Sequence, residues 1–241
     1  MKLKIFGDNT VILNFQDKSK EKNFIIWKFE IAKSIVEQFP NICEDFILTA
    51  YEITIIFKTK IDLDLINHLN KFIRVYEKNK KKIIRSSWKI PVCFDPIYSE
   101  DILIHFKNNF NLYNIFLKKF IRCTFQVNHY GFLPGFFYLS GLPKNLHLPR
   151  KSSPSKSVEK GTLAIGESNV GVYPQTSPGG WNKIGKTYVP FFDKKNNPPN
   201  VLVPGDKINF FSISIDELES KLIDFSDSMN KFKLNSFEII Y

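Results

Sequence analysis

Glycine is nearly missing from the first half of this chain. Before residue 131 only Gly7 occurs, and the rest of its 11 glycines lie between Gly131 and Gly205. Such a shift in backbone punctuation marks two architectures, one regular and one built from short pieces between turns. Cysteine is scarce too: Cys43, Cys93 and Cys123 stand far apart, with no C-x-x-C pair and no paired histidines nearby. That excludes a disulfide framework and argues against any metal site of the zinc type. No run approaches the ~18 uncharged apolar residues of a membrane-spanning helix. Met1 leads into Lys2-Leu3-Lys4-Ile5-Phe6 and then polar residues, without the apolar centre of a signal peptide, so a cytoplasmic protein with reduced thiols and no membrane contact is expected. A G-x-S-x-G elbow, a Walker loop and a Ser/His/Asp arrangement are all missing, and with them any self-evident nucleophile or nucleotide site.

What is present is ordinary in amount. At 241 residues and 43% hydrophobic, the chain fills one large or two small cores. The net charge of +10 gathers partly in Lys78, Lys80, Lys81, Lys82 and Arg85. No aromatic residues interleave with this basic run, so it reads as a solvated helix end and linker, not as a nucleic-acid surface.

The pattern of apolar residues organises the chain. Residues 2–6 and 10–15 read as strands around a Gly7-Asp8-Asn9 turn. Glu21 to Phe39 repeats apolar residues at helical spacing until Pro40 stops it. Phe46 to Thr59 predicts two strands around a bend at Ala50-Tyr51-Glu52, and Asp62 to Tyr76 a second helix. This spacing predicts a small α+β domain over residues 1–80, with helices packed on one sheet face. A linker at 81–88 follows. Over 89–215 come a strand at Trp88 to Phe94, helices at Glu100 to Asn108 and Leu112 to Phe120, and short strands at Thr124–Val127, Thr162–Ile165, Gly171–Tyr173, Lys186–Phe192 and Lys207–Ile213. Many short strands between Gly/Pro turns predict a closed β-barrel. Residues 216–241 form a tail: a helix from Asp216 to Met229, then an apolar strand, Ser236 to Tyr241, with no partner in view. An unpaired edge exposes backbone donors and acceptors, so the tail is expected to be poorly ordered alone and to become covered by a partner.

Two segments carry the chemistry: Tyr130 to Gly141 (YGFLPGFFYLSG) and Gly171 to Trp181 (GVYPQTSPGGW). Neither shows helical or strand periodicity. Glycine and proline alternating with aromatics describe rigid, shaped loops, where binding and catalysis concentrate. Arg150 follows Pro149 and precedes the polar run Ser152 to Ser157; its planar fork of donors suits a carboxylate or a phosphate. Gly179 and Gly180 present main-chain N–H groups without side-chain cover, and Ser177 adds a hydroxyl. Gly180 is expected to hold a positive φ or to touch ligand. Tyr173, Trp181 and Phe136 complete the candidate substrate-binding set. His129 has no evident partner for base catalysis, and His147 reads as a loop residue; no catalytic residue is assigned.

These segments resemble the family of B-type 5-oxoprolinase subunits, also described as KipI-like or as subunit 1 of allophanate hydrolase. The family pattern runs G-F-x-P-G-F-P-Y-L, then P-R, then Y-P-x-x-S-P-G-G-W-x-x-I-G-R-T. This chain supplies Gly131 to Leu139, Pro149-Arg150 and Tyr173 to Thr187 in that order. Phe137 stands where the family has proline, which relaxes the loop. Lys186 stands where it has arginine, which keeps the charge and loses the fork. Phe6 to Phe15 and Lys89 to Asp95 extend the likeness over all but the tail.

The resemblance implies a cyclophilin-like barrel for the second domain and a related place within carboxyltransferase domains. It also implies a hydrolase activity in a hetero-oligomer, in which the B-type subunit of 5-oxoprolinase works with the C-type and A-type subunits to open 5-oxoproline to L-glutamate at the expense of ATP bound with or by the partners. Nothing in the residues selects biotin. A second reading from the same resemblance is a regulatory binding protein that inhibits a sensor histidine kinase. The end strand resembles the opening strand of the C-type subunit, which makes that subunit the expected partner of the tail.

Overall fold

The computed structural model describes residues 1–78, 82–223 and 229–240. The chain divides into two compact units, one of residues 1–84 joined by the chain from Glu238, the other Arg85–Phe237. In the first, β1 (Lys2–Phe6), β2 (Thr10–Asn14), β3 (Cys43–Leu48) and β4 (Glu52–Phe57) form an antiparallel sheet in the order β1-β2-β4-β3. Alternate residues of β2 and β4, Val11, Leu13, Ile53, Ile55 and Phe57, are fully buried. They pack with Ile31 and Ile35 of α1 (Phe24–Gln38) and Leu69 and Ile73 of α2 (Leu63–Lys78). Each side chain so buried contributes about 1.5–3 kcal/mol.

Local chemistry sets the helix ends. The Asp62 carboxylate accepts the Leu65 N–H at 2.8 Å and so opens α2. Helix α1 starts at Phe24, later than its apolar spacing predicts, because Asn23 sits in the left-handed region at φ 63°. Lys28 of α1 is buried with its ammonium donating to the Thr49 and Ala50 carbonyls, and burial pushes its pKa down to about 8.

The second unit is mainly β. Its large sheet runs in the order β12 (Asn182–Lys186), β9 (Thr162–Gly166), β10 (Asn169–Val172), β7 (Phe137–Ser140), β6 (Phe125–Tyr130), β13 (Lys207–Ile213), β5 (Lys82–Cys93), β14 (Lys233–Ile240). β13 lies parallel to β5, from Lys207 opposite Ser87 to Ile213 opposite Cys93. β8 (Ser155–Val158) and β11 (Ser177–Gly179) form a separate ribbon. Among the described residues, three α-helices accompany the sheet: α3 (Glu100–His105), α4 (Phe110–Ile121) and α5 (Ile215–Ile223). The Asn109 side chain caps α4 through the Asn111 and Leu112 N–H groups, and Tyr113, Phe116 and Phe120 of that helix join the core.

Five sequence expectations change here. The closed, cyclophilin-like barrel is not formed: β12 meets β5 at one residue pair, Lys186 opposite Cys93, and no ladder continues from it. β13 lies along one flank of β5 as far as Cys93, and β12 is bulged between Lys183 and Gly185. Residues 82–88, expected as linker, are the first half of β5; Arg85 and Trp88 are buried there, so the basic run is not all solvated. The strand expected at Lys186–Phe192 lies earlier, at Asn182–Lys186, and Pro190 follows in irregular chain. The two Gly/Pro runs are not wholly loop: Phe137–Ser140 alternates buried and half-buried residues as β7, and Ser177–Gly179 is β11. Finally, the end strand has a partner within this chain, since β14 lies beside β5; Lys82 pairs with Glu238, and the Lys207 ammonium stands 4.7 Å from the Phe237 ring centroid. Residues 224–228 of the expected tail helix, and Tyr241, lie outside the described residues. No helix among the described residues is long and apolar enough to cross a membrane.

Candidate functional site

Three of the predicted side chains meet in one buried aromatic cluster. Phe136 precedes β7, Tyr173 follows β10 and Trp181 precedes β12; each is at most 6% exposed. Phe136 stands edge-on to Tyr173 and to Trp181, both at 5.5 Å between centroids, and Tyr138 of β7 meets Trp181 at 5.5 Å as well. Glycine makes this approach possible. A Cβ on Gly166 would come within 2.4 Å of the indole Nε1 of Trp181, and one on Gly179 within 2.2 Å of the Tyr173 hydroxyl.

Arg150 sits on a loop tied down beside this cluster. The Asn182 side-chain amide donates to the Pro149 carbonyl at 2.7 Å, and the Lys151 N–H donates to the Gly180 carbonyl at 2.8 Å. Asp101 of α3 then accepts three hydrogen bonds: the Lys151 ammonium reaches its two oxygens at 2.9 and 3.1 Å, and the Lys183 N–H bonds at 2.8 Å. The backbone around Arg150 is therefore fixed while its side chain is 60% exposed, with Nε 3.5 Å from a Glu167 carboxylate oxygen. An exposed pair of that length contributes little, so the guanidinium fork is available to a ligand.

The electrostatics suit an anion. Burial pushes the Tyr138 and Tyr173 phenols up, while the Arg150 charge pulls both the other way; Tyr173 also takes a hydrogen bond from the main-chain N–H of Trp181. Both therefore keep their protons at neutral pH. Ser177 Oγ is buried and, among the described residues, without a hydrogen-bond partner. Such a group costs about 1–3 kcal/mol that a ligand oxygen or N–H would recover.

Other expectations shift. Gly180 lies outside the positive-φ region, and a Cβ there would find only Pro154, at 3.8 Å. The constrained glycine is Gly179. Gly179→Ala is accordingly expected to displace Tyr173 at about 1–3 kcal/mol, lowering Tm by roughly 3–10 °C, with Gly180→Ala within about 1 °C of the parent chain. Equal Tm values in thermal unfolding would show that the Tyr173 contact carries no constraint. Phe137 does not relax its loop: it is 1% exposed, lies in β7 and packs edge-on against Phe191 at 4.9 Å. His129 stacks on Tyr138 at 4.5 Å, and His147 Nε2 lies 3.0 Å from the Leu142 carbonyl.

Three residues outside the predicted set also shape this region. Asp101 and Asn182 act over long sequence separations. Phe132 has a positive φ of 67°, is 58% exposed and packs edge-on against Phe136 and Tyr173. A strained, exposed aromatic at a site margin is a feature structures retain for function. Among the described residues, no group of three His, Cys, Asp or Glu side chains is placed to hold a metal ion.

The chain matches the family model "Carboxyltransferase domain, subdomain C and D" over residues 1–202. It belongs to that family. Among curated relatives of this carboxyltransferase-domain chain, the B-type 5-oxoprolinase subunit of Bacillus subtilis (strain 168) is 34% identical over 151 residues, covering 63% of this chain and 61% of the relative. The Haemophilus influenzae protein of the same name is 45% identical over 86 residues, covering 36% and 40%. Each match thus spans less than two thirds of the relative's length. The Kluyveromyces lactis urea carboxylase structure shares the fold at TM-score 0.71 and 18% identity, over 99% of this chain and 24% of that one. The protein TTHA0988 does so at TM-score 0.67 and 22% identity, over 86% and 40%.

Proposed function

We propose that this carboxyltransferase-domain chain is the B-type subunit of an ATP-dependent 5-oxoprolinase, opening 5-oxoproline to L-glutamate together with A- and C-type subunits. The names of its relatives support the assignment. The observation that carries it is the exposed Arg150 guanidinium on an anchored loop beside two protonated phenols of the aromatic cluster; the buried Ser177 hydroxyl of β11, without a hydrogen-bond partner among the described residues, adds a polar group.

A five-membered lactam is a poor electrophile. Transfer of the ATP γ-phosphoryl group to its carbonyl oxygen activates that carbon; one water adds to it and the ring nitrogen departs with a proton, leaving an acyl phosphate, from which a second water displaces phosphate to give the carboxylate. In this reading Arg150 clamps the substrate carboxylate in a bidentate pair, and Ser177, with the Gly179-Gly180 main chain, faces the developing oxyanion. The sequence has no glycine-rich phosphate loop entering a helix, so the nucleotide is assigned to the assembly and not to this chain alone.

Tagged chain expressed in its own cells is expected to retain A- and C-type subunits. Recovery of a sensor histidine kinase in their place would replace this reading by the inhibitory one.

A further inference from the structure

The second unit holds a cavity of about 470 Å³ that the proposed reaction leaves unused. Tyr173 contributes to its wall, whereas Arg150, Ser177 and the Gly179-Gly180 pair do not. Three lysines, Lys160, Lys186 and Lys221, line it against one carboxylate, Glu159. Thr176 and Thr187 add hydroxyls, and Val172 and Phe191 give it an apolar side. The two threonine oxygens already accept backbone N–H groups, from Lys160 and Val189 at 3.2 Å each, which leaves their O–H protons to donate.

Lys186 is the central cation. Its side chain is only 13% exposed, its ammonium stands 5.2 Å from the Tyr98 ring centroid, and it pairs with Glu159, which is 69% exposed. A mostly buried lysine side chain paired with a solvated carboxylate is a pair that an incoming oxyanion can exchange into, because Glu159 loses little on returning to water. The volume and the mixture of apolar wall with few polar groups fall in the range of small-molecule sites.

We infer that this cavity binds a small organic anion, its carboxylate or phosphate head on Lys186 and Lys160 with the threonine hydroxyls, its body against Val172 and Phe191. Glu159 is then a competitor for the head group and not a ligand. The inference is independent of the role assigned to Arg150.

Calorimetric titration of the full chain with 5-oxoproline, L-glutamate and ATP tests it and separates a carboxylate head from a phosphate head. At least one is expected to bind, more weakly as NaCl rises. Lys186→Met is expected to weaken binding roughly ten-fold or more, as loss of a charged hydrogen bond does. Lys160→Met, at an exposed position that leaves folding intact, is expected to weaken it several-fold, and Glu159→Gln to tighten it. No heat with any of the three probes at millimolar concentration would overturn the inference. So would binding unchanged by all three cavity variants, or binding lost in Arg150→Ala and kept in Lys186→Met; that last result would place the anion at the Arg150 site and leave the proposed function standing.

Discussion

Arg150→Ala in the assembled enzyme is expected to lower kcat/KM for 5-oxoproline roughly 10- to 150-fold, the ~1.5–3 kcal/mol of a hydrogen bond to a charged group. The loss stays below that of a buried charge because the guanidinium is more than half exposed in this chain and its pair with Glu167 is long. Arg150→Lys should recover part of it, since a point charge replaces attraction but not the two-pronged geometry. The loop should survive either change, for its anchors are the Pro149 carbonyl, the Lys151 N–H and the Lys151 ammonium, none of which belongs to the Arg150 side chain. Steady-state kinetics with an unchanged kcat/KM in the alanine variant would remove Arg150 from the substrate site.

A second large effect is expected in stability. Asp206 accepts hydrogen bonds from the Ser86 N–H at 2.8 Å, the Trp88 indole at 2.9 Å and the Val203 N–H at 3.2 Å. Burial pushes its carboxyl up, a rise that those donors and the Arg85 charge offset only in part. Arg85, itself buried, donates to the Pro204 carbonyl at 2.8 Å. This cluster pins the turn before β13 to β5, where the parallel ladder begins. Asp206→Ala leaves three donors without their acceptor and removes the carboxylate charge that offsets the buried Arg85, so urea denaturation should show a loss of about 3–5 kcal/mol. Asp206→Asn keeps one acceptor oxygen and should lose less. A change below about 1 kcal/mol in the alanine variant would mean that water replaces the carboxylate freely.

How much of this was legible in the sequence depends on range. The alternation of Val11 and Leu13, and of Ile53, Ile55 and Phe57, states the first sheet outright, because each position reports its own face. The Tyr173, Trp181 and Phe136 cluster was legible as a set of aromatics between glycines, although not which glycine is tight: Gly179 and Gly180 look alike until the Tyr173 hydroxyl is placed against one of them. Asp101 was invisible. Its partner at Lys183 is 82 residues away, and an aspartate in the first turn of a helix already has a local explanation. The strand at 82–88 was hidden by Lys82 and Arg85 at the end of the basic run, since the burial of Arg85 depends on Pro204 and Asp206 far along the chain. Closure of the barrel failed for a related reason: strand count is readable from turns, but whether the last edge meets the first depends on register and bulges, such as the one between Lys183 and Gly185.

The most direct measurement is glutamate formation from 5-oxoproline and ATP by the purified A- and C-type partner subunits, with and without this chain. Glutamate is expected only when the chain is present, with ATP consumed in proportion. Equal glutamate formation without it, or none in the complete mixture, would contradict its assignment as the B-type subunit.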